Sequence, residues 1–273
     1  MIDFDIYASG GSGTIGKYLS NRVTRLQVDL SHRNFNLRIH KNPNIKTLIH
    51  LAGIVGNERV LEDREYSFQV NVQSTRILAE KFLEYGGDKF IYVSSSHVYA
   101  PQDHPLDENS NLEPRNLYAS QKLAAEMELR KVFDGAKDKL CIVRVFSVLD
   151  WGTRPFTLGG AIANLAKHKS DFKLNHGDDI RDFLTPSTIA NTLEEMSTRP
   201  ILEGVFNLCS GNGISITKAA TRMLDESGIE VGKDRINGGH SEVPYLVGNN
   251  ARLKSKLPNL SLEWSPSRIQ DGK

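Results

Sequence analysis

The first half of the chain alternates short, almost wholly apolar runs with longer stretches whose apolar residues recur every three or four positions. Runs at 4–8, 25–28, 47–51, 90–93 and 141–146 read as strands. They lack polar alternation, which suits strands covered on both faces in a parallel sheet. Between them, 15–23, 66–85 and 118–133 carry the helical period. Strand alternating with helix predicts a doubly wound α/β fold with a parallel sheet. One interval is short: only 16 residues separate Asp29 from Lys46, broken by Asn42-Pro43-Asn44. A parallel crossover takes about a dozen residues, so the sheet is expected to be trimmed over 29–46, with room for one short helix near 36–41.

After Phe146 the pattern changes. Residues 151–155 read as a loop, 158–167 as a helix, 176–179 as a turn and 181–185 as a short strand. A further strand at 204–208 returns to the main sheet, and 216–226 is helical. The expected organisation is a first domain over 1–150 and a small C-terminal cap over 151–273, with returns to the first domain near 181–210. Composition adds exclusions. Thirty-four basic residues face 33 acidic ones, a formal net charge of +1, which gives no reason to invoke nucleic acid or an anionic membrane. The opening residues lack the pattern of a signal peptide, and no apolar stretch approaches the roughly 18 residues of a membrane span. Cys141 and Cys209 each sit in an apolar run and read as buried, reduced thiols, which fits a cytoplasmic protein.

Three constellations carry chemistry. In Ser9-Gly-Gly-Ser-Gly-Thr-Ile-Gly16, the glycines Gly10, Gly13 and Gly16 lie between the first strand and the first helical pattern. A pyrophosphate approaches a helix N-terminus only where no Cβ intrudes; free N–H groups and the helix dipole then favour the anion. The loop, with Thr14 and Ile15 at its end, is a candidate dinucleotide cradle, spaced G-x-x-G-x-x-G rather than G-x-G-x-x-G. Asp29, 19 residues beyond Gly10, stands where a carboxylate accepts from the adenosine ribose, which leans to NAD. Arg33 is of the type that holds the 2′-phosphate of NADP, so both cofactors stay open.

Tyr118-Ala-Ser-Gln-Lys122 opens a helix, and residues four apart share a face. A phenol has an unperturbed pKa of about 10, and the Lys122 cation is expected to lower that of Tyr118 and make it a proton shuttle. The strand at 90–93 runs on into Ser94-Ser95-Ser96-His97, at the carboxyl edge where ligands of such sheets bind.

With these motifs, and with His50-Leu-Ala-Gly53, Asn71-Val72, Arg181-Asp-Phe183 and Asn207-Leu-Cys-Ser-Gly211, the chain resembles the extended short-chain dehydrogenase/reductases, in the NAD-dependent epimerase/dehydratase branch that modifies nucleotide sugars. The resemblance implies a Rossmann-type domain with a small substrate-binding cap, and catalysis by Ser95, Tyr118 and Lys122. It implies a cofactor pocket lined by Leu51, Ala52 and Gly53 with Asn71 near it, Lys122 on the nicotinamide ribose, Arg181 on the substrate diphosphate, and a homodimer joined through the helices at 66–85 and 118–133. Ser96 and His97 stand where the dehydratases carry Asp-Glu, so dehydration is not expected; both are candidate substrate contacts, and His97 is also a candidate acid/base group. Reduction of a 4-keto nucleotide sugar is the first reading. A 4-epimerase that retains its cofactor, and a non-catalytic dinucleotide-binding module, are the alternatives.

Overall fold

The computed structural model describes residues 5–26, 45–151, 153, 157–167, 173–200, 202–230 and 235–266. Asp29, Arg33 and the helix expected near 36–41 lie outside the described residues. The strands are β1 Ile6–Ser9, β2 Val23–Leu26, β3 Thr47–His50, β4 Lys89–Ser95, β5 Leu140–Val145, β6 Ser147–Val148, β7 Ile180–Leu184, β8 Gly204–Leu208, β9 Gly213–Ser215 and β10 Tyr245–Leu246. The helices are α1 Asn57–Glu62, α2 Arg64–Phe68, α3 Ser74–Glu84, α4 Leu117–Val132, α5 Leu158–Lys167, α6 Pro186–Thr198, α7 Ile216–Glu226 and α8 Ala251–Lys256.

Six strands form a sheet in the order β2-β1-β3-β4-β5-β8, parallel throughout. The strand order reverses between β1 and β3, and the crevice of such a sheet opens at that reversal, beyond the carboxyl ends of the strands. Among the described residues the sheet stops at β2, in keeping with the trimming expected from the short interval. Both faces are covered, which explains the unbroken apolar runs. Along β4, Phe90 and Tyr92 join Leu78, Phe82, Leu129 and Phe133 on the α3/α4 face. Ile91 and Val93 join Ile189, Leu193 and Met196 of α6 on the other.

The helix expected over 15–23 does not form. A single 3-10 turn, Gly16–Tyr18, stands in its place, Leu19 is already extended, and β2 begins at Val23. Ser20 turns the chain there, donating from its N–H and hydroxyl to Glu194 of α6 at 2.5 and 2.6 Å. Leu19 and Val23 still bury their side chains, so the apolar spacing was real; α6 supplies the missing helical cover. That helix starts at a cap legible in the sequence: Thr185 accepts from the Thr188 N–H and Pro186 occupies the first turn.

The pattern over 66–85 resolves into α2, a π-helical turn Gln69–Gln73 and α3. The cap residues build a second sheet in the order β10-β7-β6, with β9 antiparallel to β7, over a core that includes Leu149, Trp151, Ile162, Phe183 and Met223. Asp182 ties the cap to the end of β8. Fully buried, it accepts from the Ser210 N–H and hydroxyl, each at 2.7 Å, and from the Gly211 N–H at 2.9 Å. Cys141 and Cys209 are buried free thiols.

Candidate active site

The glycine loop turns sharply at Gly10, which has φ +74°. A Cβ there would lie 2.6 Å from the Ala52 nitrogen, so a side chain would both strain the backbone and push the loops after β1 and β3 apart. The Gly13 N–H closes the turn onto the Gly10 carbonyl at 2.9 Å. A Cβ on Gly16 would run into Gly10 and Gly11. Thr14 and Ile15 are half-buried, and Ile15 packs on the core beside Leu51. Because only one 3-10 turn follows, little helix dipole backs this loop; anion binding here rests on local backbone N–H groups.

The loop after β3 is held from two sides. The Ala52 N–H donates to Ser9 Oγ at 3.4 Å; Ser9 Oγ meets His50 Nδ1 at 2.6 Å, and His50 Nε2 meets Thr75 Oγ1 at 2.9 Å. Thr75 donates onward to the Asn71 carbonyl at 2.9 Å, so the direction of the chain makes Nε2 the protonated nitrogen of a neutral imidazole. Burial, and then the charge of Lys122, push the His50 pKa down to about 3.

On the other side, Asn71 accepts from the Ile54 N–H at 2.8 Å and donates to the Ile54 carbonyl at 3.0 Å. Asn71 is thus a clamp on the loop that carries Gly53, and a Cβ on Gly53 would sit 2.9 Å from its Oδ1 and 4.0 Å from Lys122 Nζ. The π turn aims Asn71 in this way, a local widening of the kind found at functional sites.

Across the crevice, β4 ends at Ser95, whose Oγ accepts from the His97 N–H at 3.2 Å and caps a 3-10 turn. Ser94 is committed elsewhere, donating to Glu126 Oε1 at 2.6 Å. Glu126 also pairs with Arg144 at 2.7 Å, both fully buried. The Ser96 hydroxyl is buried without a protein partner.

From α4, capped by Asn116, Tyr118 stands near Ser95, and burial outweighs the influence of that hydroxyl to push the phenol up to about 12. Lys122 donates to the Val93 carbonyl at 2.9 Å and lies 4.8 Å from the centre of the Tyr92 ring. Burial, opposed by Glu126, pushes its pKa down to about 8. The expected lowering of Tyr118 by the Lys122 cation is therefore not what this arrangement gives. The ammonium is spent on a carbonyl and a ring face, and desolvation dominates both groups.

The His97 side chain is exposed just beyond the end of β4. Desolvation, and then the charge of Arg181, push it down to about 4, so it is a neutral acceptor rather than an acid near pH 7. The Arg181 guanidinium is already engaged, with Asp179 at 2.8 Å, the Ile180 carbonyl at 3.0 Å and Ser241 at 3.3 Å. Asp179 in turn accepts from Ser241 Oγ at 2.6 Å and contacts His240 Nδ1 at 3.2 Å. Gly53, Asn71 and Lys122 lie together at the carboxyl ends of β3 and β4, with Tyr118 near Ser95 and Arg181 near His97. The sequence motifs did not single out Gln121, which neighbours Tyr118 on α4 by helical spacing, or the polar chain through Ser9, His50 and Thr75.

The description "NAD dependent epimerase/dehydratase family" matches residues 6–207. The chain belongs to that family. It is an NAD(P)-dependent enzyme of the epimerase/dehydratase type with a Rossmann-like parallel sheet. Over 270 residues, 91 % of this chain and 89 % of the other, this family member is 25 % identical to the GDP-6-deoxy-D-mannose reductase of Pseudomonas aeruginosa. Over 237 residues, 77 % of this chain and 67 % of the other, it is 25 % identical to UDP-glucose 4-epimerase 2 of Arabidopsis thaliana. The structure of RMD from Pseudomonas aeruginosa complexed with NADPH has the same fold, with a TM-score of 0.79 at 23 % identity over 95 % of this chain and 94 % of that one. Gly10, Gly16 and Gly53 stand where a Cβ would press on neighbouring loop atoms, so the loops after β1 and β3 pack closely with their backbone uncovered, which suits a dinucleotide. Among the described residues no helix is long and apolar enough to cross a membrane.

Proposed function

We propose that the protein reduces the 4-keto group of a nucleotide-diphosphate 6-deoxysugar, with Tyr118 as proton donor. The observation that carries this reading is the placement of Tyr118 and Lys122 four residues apart on α4, with Lys122 anchored to the Val93 carbonyl near the end of β4. Tyr118, near Ser95, is pushed up to about 12 and is protonated at neutral pH. Reduction of a ketone builds negative charge on oxygen, and a positioned, protonated phenol meets that charge with a proton. Ser95 shares the substrate oxygen, Ser96 and His97 line the sugar side, and Arg181 serves the diphosphate with its planar fork. Gly10, Gly13, Thr14, Ile15 and Gly16 hold the dinucleotide pyrophosphate, and Leu51, Ala52 and Gly53 line the pocket beside Asn71. Lys122 holds the nicotinamide ribose, while Asp29 and Arg33, by their place in the sequence beyond Gly10, bear on NAD against NADP. The dinucleotide supplies the hydride when bound.

Likeness to a GDP-6-deoxy-D-mannose reductase and a GDP-6-deoxy-D-talose 4-dehydrogenase over about nine-tenths of each chain supports reduction, beside likeness to two 4-epimerases over 67 % and 80 % of those proteins. The test is stoichiometric. With a nucleotide-linked 4-keto-6-deoxyhexose, NADH or NADPH should be consumed one for one with product. Interconversion of 4-epimers with no net change in reduced dinucleotide would instead establish an epimerase.

We also infer a homodimer through the helical face that leaves Tyr66, Phe68 and Met127 exposed. Sedimentation at micromolar concentration should show a dimer, and monomer alone would refute it. Two buried free thiols fit a reducing compartment, and the reading places the enzyme in the cytoplasm.

A further inference from the structure

We propose that Gln121 is a positioning residue that registers the helix bearing Tyr118 and Lys122 against the loop forming the floor of the dinucleotide crevice. The inference rests on the reading that Tyr118 and Lys122 serve a bound dinucleotide, and it assigns a task to a side chain with no chemistry of its own. Gln121 lies three residues after Tyr118, so the two are neighbours on the surface of α4, with Lys122 about 100° further round. It is 2 % exposed, and a primary amide buried that deeply persists only where its donors and acceptor are matched.

Here they are. Its Nε2 donates to Ser67 Oγ at 2.9 Å, and its Oε1 accepts from Asn71 Nδ2 at 2.8 Å. Asn71 grips both the N–H and the carbonyl of Ile54, next to Gly53, which itself lies beside Lys122 Nζ. The Asn71 carbonyl closes the circuit through Thr75, His50 and Ser9 to Ala52. The loop at 52–54 is thus held at both ends by one ring of hydrogen bonds, and Gln121 ties that ring to the catalytic helix by a side chain–side chain bond.

Removing Gln121 leaves Asn71 its bonds to Ile54 but takes away the anchor of Asn71 on α4, so the loop at 52–54 opens more readily. What is lost is the register between the ring and the Tyr118/Lys122 face. A misplacement of about 1 Å at reacting groups can cost on the order of a hundredfold in rate, while the cradle that binds the dinucleotide is unchanged.

The experiment compares Gln121→Met, Gln121→Glu and Ser67→Ala with the wild type. Met has similar length and offers no hydrogen bond. Glu keeps an acceptor for Asn71 Nδ2 and takes the Ser67 hydroxyl hydrogen in place of donating. Ser67→Ala removes only the far partner. In Q121M, kcat for reduction of a nucleotide-linked 4-keto-6-deoxyhexose should fall at least about tenfold, with the Kd for NADPH, read by its fluorescence, within about threefold. Q121E should recover most of kcat, and S67A should stay within about threefold of the wild type.

A readout free of substrate accompanies these. In the protein alone, hydrogen–deuterium exchange over 51–56 should quicken in Q121M and not in Q121E. Wild-type kcat in Q121M, an equal fall in Q121E or S67A, or unchanged exchange at 51–56 would each overturn the assignment. If Q121M fails to fold, a large fall in S67A or Q121E overturns it still. A wild-type protein that reduces no such sugar counts against the functional reading alone and leaves the exchange result standing.

Discussion

Tyr118 and Lys122 are displaced in opposite directions by one cause. Burial disfavours whichever form is charged, so the phenol is pushed up to about 12 and the ammonium down to about 8. Burial thus makes Tyr118 a weaker acid that keeps its proton until a substrate oxygen is placed against it, and makes Lys122 a cation that can be lost within the working range. The sign follows directly: above about pH 8 the free enzyme carries a neutral Lys122, and the hydrogen bond to the Val93 carbonyl becomes its main role. The pH profile of kcat/KM, which reports the free enzyme, should therefore show an alkaline limb with its midpoint near 8. Lys122→Arg should remove that limb while lowering the plateau, because a guanidinium stays charged. A profile flat from pH 7 to 10 would contradict it. His97, held at about 4, should contribute no inflection near its ordinary value of about 6.5.

Elements were legible in the sequence to the degree that local pattern and tertiary role agreed. Strands β3, β4, β5 and β8 lie within a residue or two of the apolar runs that announced them, because both faces of each are buried. Helices α4, α5 and α7 follow their periodicity almost to the residue. The first helix failed for a tertiary reason: Leu19 and Val23 have helical spacing, but Ser20 is captured by Glu194, about 170 positions away in the chain, and the segment turns instead. The π turn was illegible for another reason. A 3.6-residue period assumes no inserted residue, and the insertion that swings Asn71 toward Ile54 leaves the apolar spacing on either side intact. The candidate site residues Ser95, Tyr118 and Lys122 were read by motif position. Gln121 and Ser9 were passed over because their work is done through hydrogen-bond partners distant in sequence.

At the scale of the whole molecule, the sheet, the cap and the crevice depend on polar groups buried where they can be neutral or paired. His50 is the sharpest case. Its folded pKa of about 3 lies below the value of about 6.5 expected when the chain is unfolded. Above pH 6.5 both states are neutral and the native fold loses nothing. As pH falls from 6.5 toward 3, the unfolded chain takes up a proton that the folded chain refuses, so stability is lost across that window, on the order of 4 kcal/mol at its end. Urea unfolding at pH 7.5 and pH 4.5 should show a wild-type loss about 2 kcal/mol larger than that of His50→Gln. Equal losses would mean that the imidazole is not held neutral by the fold.

The central claim is that one phenol at the crevice mouth delivers the proton while the rest of the site holds its reactants in place. Replacing Tyr118 by Phe removes a single oxygen and leaves the cradle of Gly10, Gly16 and Gly53 untouched. Turnover of the 4-keto nucleotide sugar in Tyr118→Phe should fall by at least about a hundredfold, while NADPH binds within about threefold of the wild-type Kd. Turnover that survives the substitution within a few-fold would contradict the account.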